Sequence, residues 1–206
     1  MELIKHEVMK FTRKDTFAIP DSENVIIRLN DQYHIESKDG KRLTKSLTKI
    51  SDFVNGIASY EHGEEAGLIT PEGKIIFKSK HDKVAVDGEL IRICSKGKWG
   101  FMNRDMKVLC APKFTFLEKF NGQYSRFRDE HGKWGIVSKS GRIVVKPKYS
   151  FLGELTGNKI AAQNYKGYGA IDIHGKEVVS FEYKKIAYLE GKTKLFNLDG
   201  KQCVLD

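Results

Sequence analysis

Short runs of β-branched and aromatic residues alternate with glycine-bearing polar turns along most of this chain. Gly56 to Tyr60, Glu89 to Cys94, Ile143 to Val145 and Val178 to Phe181 are such runs. Residues of this kind suit a pleated, half-buried surface, so each run predicts a strand. No window longer than about a dozen residues keeps the 3.6-residue apolar period of an amphipathic helix, and little helix is expected. At the start, Leu3, Ile4, Val8 and Phe11 permit a short amphipathic helix, with a strand as the other option.

The pattern repeats. Gly97-Lys98-Trp99-Gly100-Phe101 and Gly132-Lys133-Trp134-Gly135-Ile136 are near copies, and Gly167-Tyr168-Gly169-Ala170 follows with tyrosine for tryptophan. Ala66-Gly67-Leu68 and Tyr33-His34-Ile35 are weaker copies upstream. Soon after each, a turn glycine recurs at Gly40, Gly73, Gly141 and Gly175, with Met106 as the exception. Glycine enters positive φ without steric cost, so these positions read as hairpin tips. Further on lie Phe114, Tyr149 and Tyr183, then Val84, Leu117, Leu152 and Ile186, then a second glycine at Gly56, Gly88, Gly122, Gly157 and Gly191. This register predicts about five units of roughly 34 residues with about three strands each.

The expected fold is therefore all-β: an antiparallel β-hairpin repeat array, an open β-solenoid, forming one domain over residues 1–206. Residues 1–31 would be an N-terminal cap and partial unit, 32–192 the repeats, and 193–206 a truncated C-terminal cap. The truncation is read from Gly200, which follows Gly191 too soon for a complete hairpin. A five-bladed small β-propeller is the alternative, disfavoured because the unit is short for a four-stranded blade.

Composition adds a charge asymmetry. The net charge is +9, and residues 104–148 hold eleven basic against four acidic side chains. Arg126 and Arg128 flank Phe127, and in a strand both arginines would share one face while the phenylalanine enters the core. Lys146 and Lys148 flank Pro147 in the same way, and with Lys113, Lys133 and Arg142 they outline a basic face suited to an acidic partner. The competing reading is a solvated edge, because lysines on edge strands prevent aggregation. No nucleic-acid motif is present, and nucleic acid is not expected as a partner. Neither a membrane span nor a signal-peptide pattern is visible, and Cys94, Cys110 and Cys203 are few and widely spaced, which fits a reducing cytoplasm.

Motifs for catalysis fail on spacing. Gly191-Lys192-Thr193 lacks the earlier phosphate-loop glycine, since Ile186 stands there. Gly167-Tyr168-Gly169 lacks the third glycine of a dinucleotide fingerprint, since Asp172 occupies that place. The histidines at 6, 34, 62, 81, 131 and 174 are scattered, and Glu64-Glu65 and Asp129-Glu130 read as loop tips. Catalytic residues, metal and cofactor are not expected, nor is a small-molecule ligand.

The Lys-Trp-Gly element and the Ser140 to Tyr149 run, Ser-Gly-Arg-Ile-Val-Val-Lys-Pro-Lys-Tyr, resemble bacterial WG-repeat (KWG-repeat) proteins, over roughly residues 17–205. Ala66 and His34 depart from the family's aromatic and glycine. The resemblance implies a β-repeat protein with varied binding roles and no common enzymatic activity. Tyr33, Trp99, Trp134 and Tyr168 are expected to be packing residues, one ring per unit stacking on its neighbour. The functional expectation is a non-enzymatic module that docks a protein partner, such as an acidic toxin or effector. The alternative is a glycan or cell-wall module that offers these aromatics to ligand.

Overall fold

The computed structural model describes residues 14–79, 82–155, 159–189 and 192–205. The helix or strand considered for the first residues, Gly157, Gly191, His6 and His81 lie outside them. Every regular element among the described residues is a strand, and the strands form small antiparallel sheets. The chain divides after Gly88 into two compact units.

In the first unit, β1 (Lys14–Ala18), β2 (Val25–Leu29) and β3 (Gln32–Glu36) form one meander. A second is built from β4 (Lys49–Ile50), β5 (Ala58–His62), β6 (Glu65–Ile69) and β7 (Ile75–Ser79), and β8 (Lys83–Asp87) ends the unit. Residues 41–47 run beside β3 irregularly, held by Leu43 N to Ile35 O and by reciprocal bonds between Tyr33 and Leu47. Ile19, Ile26, Ile35, Leu47, Phe53, Ala58, Tyr60 and Ile69 form its core.

In the second unit, β9 (Leu90–Ser95), β10 (Lys98–Asn103) and β11 (Val108–Phe114) are consecutive antiparallel partners. Two four-stranded meanders follow. One contains β12 (Phe116–Leu117), β13 (Tyr124–Arg128), β14 (Trp134–Ser138) and β15 (Ile143–Tyr149). The other contains β16 (Phe151–Leu152), β17 (Ile160–Gln163), β18 (Tyr168–Ile171) and β19 (Glu177–Tyr183). A three-stranded sheet of β20 (Lys185–Leu189), β21 (Lys192–Phe196) and β22 (Gln202–Leu205) completes it.

Four strands form the sheets β4–β7, β12–β15 and β16–β19 in place of the three per unit that the spacing predicts, while β1–β3 and β20–β22 keep three. The additional strand pairs through two residues only: Phe116 and Leu117 against Arg128 and Phe127, Phe151 and Leu152 against Gln163 and Ala162. Two residues are too few for a hydrophobic period, and that brevity is also how four strands fit the short unit.

The tip at Gly141 requires its glycine twice over. Gly141 has φ +86°, and a Cβ there would meet the Leu109 carbonyl oxygen of the preceding sheet at 2.1 Å. Met106 occupies the same turn position with φ +63°, its N–H donating to Asn103 O as that of Gly141 does to Ser138 O. The register thus holds where the residue type departs. Because a side chain in the left-handed region costs about 1 kcal/mol, Met106→Gly is expected to raise the urea midpoint by a comparable stability increment. An unchanged midpoint would remove strain from the account of this turn.

Gly200 is not a tip glycine. Lys185 pairs with Phe196 as Phe151 pairs with Gln163, so β21 corresponds to β17. Gly200 then lies in the turn that leads into the third strand, as Gly132 does. The short spacing after Gly191 reflects this turn and no lost strand within the hairpin.

Candidate functional site

The glycine of the Trp-Gly pair is required by its neighbour strand. Trp134 pairs with Tyr149 but Ile136 pairs with Val145, so β15 carries extra residues between them and bulges toward Gly135. A Cβ on Gly135 would lie 2.6 Å from both the Val145 carbonyl oxygen and Phe127 Cζ. Gly100 meets the same crowding from Cys110 O at 2.4 Å and Pro112 N at 2.6 Å. Pro112 and Pro147 sit inside these bulges on the edge strands β11 and β15, where a missing N–H is tolerated. In β6 and β7 the register shifts only after Leu68, and the unit containing Ala66 lacks the wide bulge.

The aromatic before that glycine packs within its own sheet. Trp134 is buried, with the Phe116 ring edge-on at 5.6 Å, and Tyr168 meets Phe151 at 6.2 Å. Ring pairs between consecutive repeats are instead Phe101–Phe120, Phe114–Phe127 and Tyr149–Phe181. The expected stack of one Trp-Gly aromatic on the next is therefore replaced by these other rings. Trp99 and Tyr168 are half-buried, and Tyr33 packs against the first unit's core. None of the four is among the exposed large hydrophobic residues.

Arginines cover the tryptophans. The Arg126 guanidinium carbon lies 5.3 Å from the Trp134 ring centre and that of Arg128 4.3 Å, while Arg92 lies 5.5 Å from Trp99. Arg126 is held further: its Nε and Nη2 donate to the two Glu118 carboxylate oxygens at 2.6 Å, and Nη1 donates to Leu152 O of the next sheet at 2.6 Å. Arg92 Nη1 donates to Leu117 O at 2.9 Å in the equivalent manner. Arg126, expected on the basic face, is thus a clamp between repeats with little of its side chain exposed. The sequence signal was available, since arginine recurs at this unit position before both tryptophans.

The other six basic residues, Lys113, Arg128, Lys133, Arg142, Lys146 and Lys148, are exposed, and no ion pair engages them among the described residues. They do not form one patch. Arg128, Lys133 and Lys148 lie at one end of the β12–β15 sheet, because Trp134 pairs with both Arg128 and Tyr149. Lys146 lies nearby on β15, and Lys113 occupies on β11 the place of Lys148. Arg142 is at the opposite end, beyond Ser138. The acids of the nearer turn are engaged locally: Asp129 accepts the His131 and Lys133 N–H groups, and Glu130 meets Lys98 at 3.5 Å.

In the first unit, the buried Tyr60 hydroxyl donates to Glu65 at 2.5 Å, and Lys78 meets the other carboxylate oxygen at 3.2 Å. Burial first, then the Glu65 bond, pushes the phenol pKa upward, while the Tyr60 hydrogen bond pulls the Glu65 carboxyl down. The arrangement anchors a core tyrosine in a structural role.

The sheets define an all-β repeat protein in which the wide bulge recurs at β10–β11, β14–β15 and β18–β19 and the clamping arginine in the first two of these repeats. The family described as WG containing repeat matches residues 99–134, 134–166 and 168–193, so these three consecutive segments carry WG repeats. No curated protein matches the sequence. Among solved structures, Kluyvelomyces marxianus Hsv2 is similar at 10% identity and TM-score 0.49, over 89% of this chain and 69% of that one. A eukaryotic initiation factor is similar at 11% identity and TM-score 0.48, over 100% of this chain and 64% of that one. BamB from Moraxella catarrhalis is similar at 10% identity and TM-score 0.42, over 92% of this chain and 68% of that one. Likeness at this level says nothing of what the chain does.

Proposed function

We propose that this WG-repeat chain is a non-enzymatic, cytoplasmic binding module that docks an acidic protein through the second unit. The observation that supports it most is the exposed group Arg128, Lys133, Lys146 and Lys148 at one sheet, which no carboxylate among the described residues pairs with. Unpaired cations of one sign raise the encounter rate with an oppositely charged surface and make the complex sensitive to salt. The repeat frame contributes rigidity: the bulged edge strand that carries Lys146 and Lys148 is pinned by the close approach of Val145 O to Gly135.

Co-purification from native lysate at low salt tests the reading, with the native chain compared against Lys146→Glu/Lys148→Glu. An acidic protein recovered with the native chain is expected to fall about tenfold with the variant, and to dissociate as salt shortens the screening length. Both positions are exposed, so thermal stability should stay within about 0.5 kcal/mol. Failure to recover a stable partner, or equal recovery by both proteins, would defeat the proposal.

A further inference from the structure

A groove of about 350 Å³ opens at the tip end of the second unit, lined by Tyr124, Ser138, Ser140, Arg142, Val144 and His174. The turn between β14 and β15 supplies the serines and the arginine, and the following repeat's tip brings His174 against them. Gly175 permits this approach, because a Cβ there would sit 3.1 Å from Val145 Cγ2. Lys139 N donates to Gln123 O at 2.9 Å, which ties the turn to the strand carrying Tyr124.

The lining offers an arginine, an imidazole, a phenol and two serine hydroxyls, of which that of Ser138 also donates to Arg142 O at 3.2 Å, and no carboxylate. Ser138 and Ser140 share a hydrogen bond of 2.8 Å, and Arg142 has no ion-pair partner among the described residues. Val144 and the Tyr124 ring add an apolar wall. The equivalent positions in adjacent repeats differ in the decisive property. One tip earlier, Asn103 and Asp105 stand where Ser138 and Ser140 do, and the Asn103 amide donates to the Asp105 carboxylate at 3.2 Å. One tip later, Asp172 stands in the place of Ser138 and accepts the N–H groups of His174 and Lys176. A carboxylate at either site would repel an anion.

We propose that this groove binds a phosphomonoester, with Arg142 and His174 on the phosphoryl oxygens, the hydroxyls completing their shell, and Tyr124 with Val144 against the organic group. A phosphoryl group presents three strong acceptor oxygens, which fits this donor number better than a two-oxygen carboxylate does. The volume falls in the range of small-ligand sites, roughly 300 to 1,000 Å³, and exceeds what bare phosphate fills. The same chemistry reaches the groove as a free ester or on a phosphorylated side chain.

Calorimetric titration of the whole chain with phenyl phosphate, a phosphoserine peptide, inorganic phosphate and benzoate tests this. Phenyl phosphate or the phosphopeptide is expected to bind more tightly than inorganic phosphate, and benzoate weakly. The tighter of the two organic probes identifies the source. Arg142→Ala and His174→Ala, both at exposed positions, should each weaken binding about tenfold. Absence of binding, benzoate binding as tightly as phenyl phosphate, or full affinity in Arg142→Ala would overturn the assignment. The titration involves no protein partner, so its failure leaves the docking reading to be judged on its own experiment.

Discussion

Gly135→Ala should abolish or severely weaken folding of the second unit, whereas Gly132→Ala, three residues earlier, should be tolerated. The two glycines are constrained by different physics. Gly135 has ordinary backbone angles, but its added methyl would occupy space 2.6 Å from a carbonyl oxygen and an aromatic carbon. The carbonyl belongs to the bulge of β15 and cannot retreat without breaking the register that places Tyr149 opposite Trp134. Overpacking of this kind costs about 3 kcal/mol or more, a large share of the 5–15 kcal/mol typical of a domain. Gly132 has φ +70° but nothing within 4 Å, so alanine there meets only a backbone penalty of about 1 kcal/mol. Urea unfolding followed by tryptophan emission measures both, since Trp99 and Trp134 report on this unit alone. Equal stability of the two variants would show that the bulge yields, and the steric account of the Trp-Gly pair would fall.

Removing Arg126 should have the next largest effect. Arg126→Ala leaves the Glu118 carboxylate and the Leu152 carbonyl without their donors and uncovers one side of Trp134. Loss of one member of a largely desolvated, bidentate pair costs about 2–3 kcal/mol, less than a fully buried pair because Glu118 keeps some solvent contact. Lysine cannot supply the planar fork, so Arg126→Lys should restore less than half of the loss. Arg142→Ala is the matching control on the same sheet, expected within about 0.5 kcal/mol of the native chain because its side chain is exposed and has no ion-pair partner among the described residues. The expected Arg126→Ala result is a lower urea midpoint with a red-shifted tryptophan emission. An Arg126→Ala midpoint equal to that of Arg142→Ala would return Arg126 to the solvated face.

What could be read from the residues and what could not follow from how far each constraint reaches along the chain. Tip glycines are local requirements, and they marked the units well enough that Met106 was placed correctly without being glycine. Phe127 entering the core follows from strand alternation alone, and the structure buries it. The two-residue strands escaped because pairing that short leaves no periodic trace. Arg126 was misjudged because its decisive contacts, Glu118 and Leu152, come from another strand and another repeat. Gly200 was misplaced because two kinds of turn in each unit use the same residues, and only cross-strand pairing separates them. The tip groove needed His174 and Ser138 brought together from successive units, a proximity that no single unit displays.

The brevity of β12 does not loosen it. Phe116 and Leu117 make only two ladder pairs, but Thr115 N and Glu118 N extend the pairing to Arg128 O and Arg126 O, and Arg92 of the preceding sheet holds Leu117 O. Opening this seam would break all of these bonds and expose the buried Leu117, so the short strand should resist hydrogen exchange as well as the longer strand it pairs with.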